Sequence, residues 1–320
     1  MKIRVLGAAA GGGLPQWNCH CRNCSDARRG AAGVLPRTQS SIAVSSDGRR
    51  WVLFNASPDL RSQTESLTRS VSRSGTDPGS AGTGVPPATP RASVFDAVFL
   101  TDAEIDHTAG LLLLREGGWL VLYATAFVHG ALRQNGLLRT LAAYLQIDWR
   151  EVPLDGAALE LRDRAGDRLG LEVTAFAVAG DPPLYHQGNG TSPAGHTIGV
   201  RVTGANEAAG LVYVPGTGDV DDALLSSVGA GDMLLLDGTF WADDELAGMG
   251  ISQRRALDMG HLPIGGPNGS LTRLRDISAS RRAYIHLNNT NPVLREGSPE
   301  RRAVEAAGWE VAYDGMELDV

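Results

Sequence analysis

The chain has 320 residues, 42% of them hydrophobic and 20% charged, with a formal net charge of -7. That composition can bury a large core, as a soluble globular protein does, and an acidic balance without a basic block argues against a nucleic-acid surface. No apolar run approaches the roughly 20 residues that a membrane span needs. Residues 1–7 enter a strand directly instead of forming a signal peptide, so a cytoplasmic location is expected.

Residues 3–6 read as a strand, and residues 7–13 as a small-residue turn with Gly11, Gly12 and Gly13 in a row. Such a turn lets backbone approach something closely. It lacks both the GxGxxG spacing and the P-loop lysine, so it is a weak phosphate signal. All three cysteines follow, Cys19, Cys21 and Cys24, spaced C-x-C-x-x-C. An odd, tightly clustered set is a poor disulfide framework and a good metal-ligand set. Structural zinc takes four ligands, so one is missing locally. His20 lies between two of the cysteines, where the chain would have to fold back sharply to use it. The plain alternative is three free buried thiols.

Residues 38–44 and 51–54 read as a hairpin across Asp47-Gly48. Residues 61–68 read as a helix. Residues 70–90 are rich in Ser, Gly, Thr and Pro and read as a mobile surface insertion. The strand–turn–helix pattern resumes straight after it, so a single domain over residues 1–320 is expected.

Residues 97–100 read as a buried strand, followed by an acidic turn with Asp102, Glu104, Asp106 and His107, and residues 110–114 open an apolar helix. Strand ends are where α/β folds place their chemistry. Three carboxylates and an imidazole within six residues suit a divalent metal. The plain alternative is an acidic helix start. Further strands are read at 120–124, 159–161, 171–177, 197–202, 210–214, 233–236 and 283–287, with helices at 126–132, 221–228 and 301–307 and a terminal strand and turn at 311–317. The strand at 233–236 ends in Asp237. His286 sits near the end of the strand at 283–287, before an Asn-rich loop carrying Asn288 and Asn289. His186 and His196 flank a Pro- and Gly-rich loop without clear register, and His20 and His129 read as structural or exposed. A halving near Leu171 fits a pseudo-duplicated αββα sandwich.

The acidic turn resembles the His-x-His-x-Asp-His box of the metallo-β-lactamase superfamily. Asp106 and His107 match it, while Asp102 and Glu104 stand where two histidines would. Pro215 stands where many members carry a bridging Asp. Residues 11–24, 37–41, 55–59, 104–107, 237–239, 259–261 and 285–292 together resemble the family of coenzyme PQQ synthesis protein B, over nearly the whole chain except 70–90.

The resemblance implies an α/β, metallo-β-lactamase-like four-layer αββα sandwich and a place in pyrroloquinoline quinone (PQQ) biosynthesis, where the cofactor is made from a Glu and a Tyr of a small peptide. It implies an active-site metal on Asp106, His107 and His286. It also implies a structural zinc on Cys19, Cys21 and Cys24, closed by His261. Two imidazoles and one carboxylate with open positions resemble the ligands of non-haem Fe(II) oxygenases, so iron is expected, with other divalent metals open. Hydroxylation of the tyrosine-derived ring of the crosslinked Glu–Tyr precursor is the favoured activity. A carrier of PQQ or its precursor toward the periplasm is the alternative. A dinuclear hydrolase is disfavoured by the missing histidines and Asp.

On this reading Asp102 and Glu104 orient metal-bound water or contact substrate. Gly12, Gly13, Asn288 and Asn289 are the nearest groups to compensate substrate carboxylates. The partners implied are PQQ or its peptide-derived precursor and other PQQ-pathway proteins. The sequence leaves monomer and homodimer open.

Overall fold

A computed structural model of the protein describes residues 1–74, 93–186 and 194–320. Its strands in chain order are β1 (Lys2–Gly7), β2 (Ser41–Ser45), β3 (Trp51–Phe54), β4 (Phe95–Phe99), β5 (Trp119–Ala124), β6 (Gln146–Glu151), β7 (Leu159–Arg162), β8 (Arg168–Ala177), β9 (Ile198–Gly204), β10 (Gly210–Val214), β11 (Met233–Asp237), β12 (Arg281–Ile285), β13 (Glu310–Val311) and β14 (Glu317–Asp319). They form two seven-stranded sheets, ordered β14-β1-β2-β3-β4-β5-β6 and β13-β12-β11-β10-β9-β8-β7. In the first sheet β1, β2 and β3 run antiparallel, and β3 to β6 are parallel. In the second, β7 to β10 run antiparallel and β10 to β13 are parallel. The shared order is the expected duplication, with the second half beginning at β7, Leu159, ahead of the expected Leu171, which lies inside β8.

Three apolar clusters make four layers. Val5, Ile42, Phe54, Phe99 and Tyr123 from one sheet pack against Leu171, Val200, Tyr213, Leu235 and Ile285 from the other. Leu53, Val98 and Leu122 on the outer face of the first sheet are covered by Leu60, Leu67, Leu111 and Leu132. Val212, Leu234 and Leu236 on the outer face of the second are covered by Leu224, Leu262, Val304 and Trp309. Strands covered on both faces need apolar residues at every position rather than at alternate ones. This is why β11, Met-Leu-Leu-Leu-Asp, is buried throughout.

Helix α1 (Arg22–Arg28) carries Cys24, α2 (Leu60–Ser74) covers the outer face of the first sheet, and α3 (Ile105–Thr108) carries Asp106 and His107. Helix α2 runs through the first residues of the expected insertion; the remainder of that insertion lies outside the described residues. The apolar helix expected from Gly110 is a 3-10 segment, Ala109–Gly117. The Gly110 N–H turns away from its own helix and donates to the Ala56 carbonyl at 2.9 Å. Strand β6 has no counterpart in the sequence reading, because it is an edge strand whose pattern is half exposed and polar. Among the described residues no helix is long and apolar enough to cross a membrane.

The close approach at Gly110 carries a prediction. A Cβ there would lie 2.1 Å from the Ser57 carbonyl oxygen and 2.7 Å from that of Ala56, both backbone atoms that cannot swing aside. Gly110→Ala is therefore expected to cost about 3 kcal/mol, at the upper end of overpacking costs. Thermal or urea unfolding checks it, and a melting temperature equal to that of the parent protein would show that the turn yields.

Candidate metal centre

The site forms where parallel strands of both sheets end, the usual place for ligands in such sheets. Strand β4 delivers Leu100, Thr101 and Asp102, after which α3 presents Asp106 and His107. Strand β11 ends in Asp237, and β12 leads into His286. The turn is braced by its neighbour loop. Asn55, at φ 61°, donates from Nδ2 to Thr101 Oγ1 at 2.9 Å and accepts from Thr101 N at 3.0 Å. Ala56 N donates to the His107 carbonyl at 2.7 Å.

Asp106, His107 and His286 each bring a donor atom to within 4.8 Å of the others. His286 Nε2 lies 3.1 Å from Asp106 Oδ2, and the His107 and His286 rings meet edge to face with centroids 5.0 Å apart. His286 has φ 58°, an uncommon backbone state for a residue with a side chain, so the surrounding structure must hold it there. Thr239 does so, its Oγ1 lying 2.8 Å from His286 Nδ1 and 2.9 Å from the His286 carbonyl.

His107 makes the case for a cation. Its Nδ1 bonds Asp102 Oδ2 at 2.7 Å, while its Nε2 is fully buried with no hydrogen-bond partner among the described residues. An unsatisfied buried polar atom costs about 1–3 kcal/mol. A carboxylate on one imidazole nitrogen and a metal on the other is the usual arrangement of a ligating histidine. Against the burial of its ring, Asp102 and Asp106 push His107 up to about 9. A cation would take the place of that second ring proton. Against its own burial, Asp106 is held well below the usual carboxylate range by His107 and His286. The residues present therefore fit a divalent ion.

Asp102 was expected to touch water or substrate. It is buried and committed instead, accepting from His107, from Thr101 Oγ1 at 2.9 Å and from Glu104 N at 2.9 Å. Its place in the strand-to-turn junction turns it toward the His107 ring, so it would orient that ring as a ligand of a bound cation. Asp102→Asn is expected to weaken metal binding about 10–100-fold, the usual effect of losing such a partner. Metal titration of the purified variant checks this, and unchanged affinity would remove Asp102 from the role. Glu104 remains exposed at the rim of the cleft, where the surrounding walls and the nearby Asp102 and Asp106 push its carboxyl up to about 7.

The structure corrects three further expectations. His261 is not beside the cysteines: its Nδ1 lies 2.7 Å from Asp237 Oδ2, its ring stacks at 5.4 Å on that of His286, and it lines the metal cleft. The cause is the left-handed turn at Gly260, φ 75°, followed by the Leu262 N–H bond to the Thr217 carbonyl, which fixes His261 over the end of β11. Asn289 occupies the place by the thiols. Its Nδ2 lies 3.1, 3.6 and 3.3 Å from the sulfurs of Cys19, Cys21 and Cys24, so it is not a cleft residue, whereas Asn288 is. Gly12 and Gly13 also turn away. Gly12 N donates to Gln39 Oε1 at 3.0 Å and Gly13 N to the Ala10 carbonyl at 3.1 Å, and only Gly11 of the three lines the cleft.

The three cysteine sulfurs converge within 4.8 Å at the start of α1, where Cys21 caps the helix. Besides Asn289, the N–H groups of Gln16, Cys21 and Cys24 point at them at 3.3–3.5 Å. Several donors aimed at clustered sulfurs suit thiolates on a metal. His186 and His196 both pack on Phe127, and His129 stacks on Trp149 at 3.8 Å. The sequence reading assigned no role to Asp237 or Thr239. The signal was present in Asp237, a carboxylate closing a fully apolar strand just as Asp102 follows β4.

The fold and the centre define a metallo-β-lactamase-type protein. The model of the Beta-lactamase superfamily domain matches residues 50–287. Coenzyme PQQ synthesis protein B of Cupriavidus necator is 43% identical over 318 residues, covering 99% of this chain and 98% of that one. That of Ruegeria pomeroyi is 44% identical over 321 residues, covering 99% of both. The crystal structure of Zn(2+)-bound PqqB from Methylobacterium extorquens is 39% identical, with a TM-score of 0.87 over 100% of both chains. A diphosphatase of the PhnP family, 19% identical with a TM-score of 0.64 over 99% of this chain and 96% of that one, shares the fold. The chain belongs to the coenzyme PQQ synthesis protein B family.

Proposed function

We propose that this chain serves PQQ biosynthesis as a metal-dependent oxygenase, hydroxylating the tyrosine-derived ring of the crosslinked Glu–Tyr precursor. The observation that carries the reading is the buried, unpartnered His107 Nε2 beside Asp106 and His286. Two imidazoles and one carboxylate opening onto a cleft are the donor set of mononuclear iron oxygenases. Divalent iron held by Asp106, His107 and His286 would supply dioxygen activation for insertion into an aromatic C–H bond. Zinc, which the Methylobacterium extorquens relative carries, is assigned here to Cys19, Cys21 and Cys24.

The chain's own residues position and move protons. Asp102 fixes the tautomer and direction of His107, and Thr239 does the same for His286. Asp237 holds Nδ1 of His261 and leaves Nε2 for the cleft, so His261 and the rim carboxyl of Glu104 are the groups placed to take the proton that leaves the ring carbon. Placing one oxygen atom in the C–H bond sends the other to water with two electrons and two protons, so the test is to load the protein with Fe(II) without oxygen, then add precursor, an external two-electron reductant such as ascorbate, and oxygen. A product heavier by one oxygen atom, with matching oxygen uptake, is expected. Tight binding of precursor or PQQ with no oxygen consumed would replace the enzyme with a carrier.

A further inference from the structure

The metal cleft has a charge problem. Its lining among the described residues includes Asp102, Glu104, Asp106, Asp181 and Asp258, against one guanidinium, Arg254. Asp102 is committed to His107, and Asp106 to the metal position. Outside the metal position and the histidines around it, an anionic ligand approaching from solvent meets Glu104, Asp181 and Asp258, and Arg254 is the one guanidinium there among the described residues. The precursor in the reading above carries several carboxylates, and this inference rests on that reading.

Arg254 differs from its neighbour in the way such a site requires. Arg255 is spent on the Asp243 carboxylate at 2.5 Å. Arg254 makes no ion pair among the described residues; one terminal nitrogen donates to the Asp258 backbone carbonyl at 2.9 Å. Its backbone N–H is held by Ser252 Oγ at 3.1 Å. The segment around it is pinned through Ala256 N to the Asp243 carbonyl at 2.8 Å and Leu257 N to Asp243 Oδ1 at 3.0 Å. A guanidinium has five donors in a planar fork, so one bond to a carbonyl orients the arm and leaves donors for a bidentate carboxylate. Arg254 is half-buried, so its charge is weakened less by solvent than a fully exposed one.

We infer that Arg254 is the carboxylate-binding residue of the cleft, clamping one carboxylate of an aromatic polycarboxylate at the rim so that its ring faces Asp106, His107 and His286. The carboxylates around it then reject anions that cannot reach the fork, which gives selectivity as well as affinity.

The test uses the metal-loaded full chain and benzene-1,3,5-tricarboxylate as probe, with benzene-1,3,5-tricarboxamide as its uncharged counterpart. R254Q is expected to bind the tricarboxylate about tenfold or more weaker, the usual scale for losing a charged hydrogen-bonded contact. Binding of the tricarboxamide and metal content should stay unchanged. With the precursor, KM should rise while kcat changes little, a split that mere loosening of the loop would not produce. R254K keeps the charge but loses the fork, and an intermediate loss is expected. Should R254Q fail to fold, R254K carries the test at unchanged melting temperature. Equal tricarboxylate affinity in parent and variant would overturn the inference. Loss of probe binding in R254Q, together with a parent protein that never consumes oxygen, would keep the subsite and overturn the oxygenase.

Discussion

Alanine at position 107 is expected to strip the cleft of its metal while leaving the cysteine site loaded. His107 Nε2 is the one donor of the three with no partner of its own, and Nδ1 is already locked by Asp102. Loss of a partner behind a ligand costs about 10–100-fold in metal affinity, so loss of the ligand itself should cost more than about 100-fold. Iron-dependent oxygen uptake should disappear with it. His286→Ala should behave alike, because the two rings approach the same point from opposite sheets. Metal analysis and oxygen-electrode traces on the purified variants decide the matter. A His107→Ala protein with full turnover and one cleft metal per chain would show that the ligand set is wrong.

The second large effect is expected at the cysteine loop. Cys21 both caps α1 and contributes one of three converging sulfurs. Serine keeps a cap acceptor, an oxygen in place of the Cys21 sulfur, but is a poor zinc donor, so Cys21→Ser separates the cap from the metal. Loss of a structural metal belongs among the few changes that cost about 4 kcal/mol or more. The variant should lack zinc, unfold at lower temperature, and still place Asp106, His107 and His286 correctly, since these hang from β4 and β12 rather than from α1. Zinc analysis beside thermal unfolding gives the answer. A zinc-free parent protein, or a variant as stable as the parent, would remove the structural site.

Much of the architecture is local and therefore legible. Apolar runs such as Met233–Asp237 announce strands covered on both faces, and small polar clusters such as Asp47-Gly48 announce the hairpin turn. The acidic turn after β4 and the cysteine spacing are local as well, and both were visible as metal-binding chemistry. Edge elements are less legible. Strand β6 pairs by backbone with β5 while its side chains stay half in solvent, so no periodicity marks it.

Partnership across the molecule was not legible in the same way. His261 and Asn289 lie 28 residues apart in sequence, and each is a chemically reasonable companion for three thiols. Only the turn at Gly260 and the register of β11 decide that His261 joins Asp237 and that Asn289 takes the place by the sulfurs. Gly12 and Gly13 fail as cleft donors for a similar reason: their N–H groups are satisfied by Gln39 and Ala10 once the first sheet has formed. By itself the sequence determined the residue types, the strand ends that carry them and the duplicated sandwich, because burial periodicity and ligand chemistry are written in neighbouring residues. The tertiary structure decided which donors share a point in space, because that depends on sheet register and loop closure over long separations. It made Asp102 a support for His107, Thr239 a support for His286 and Arg254 the one guanidinium that lines an acidic cleft among the described residues.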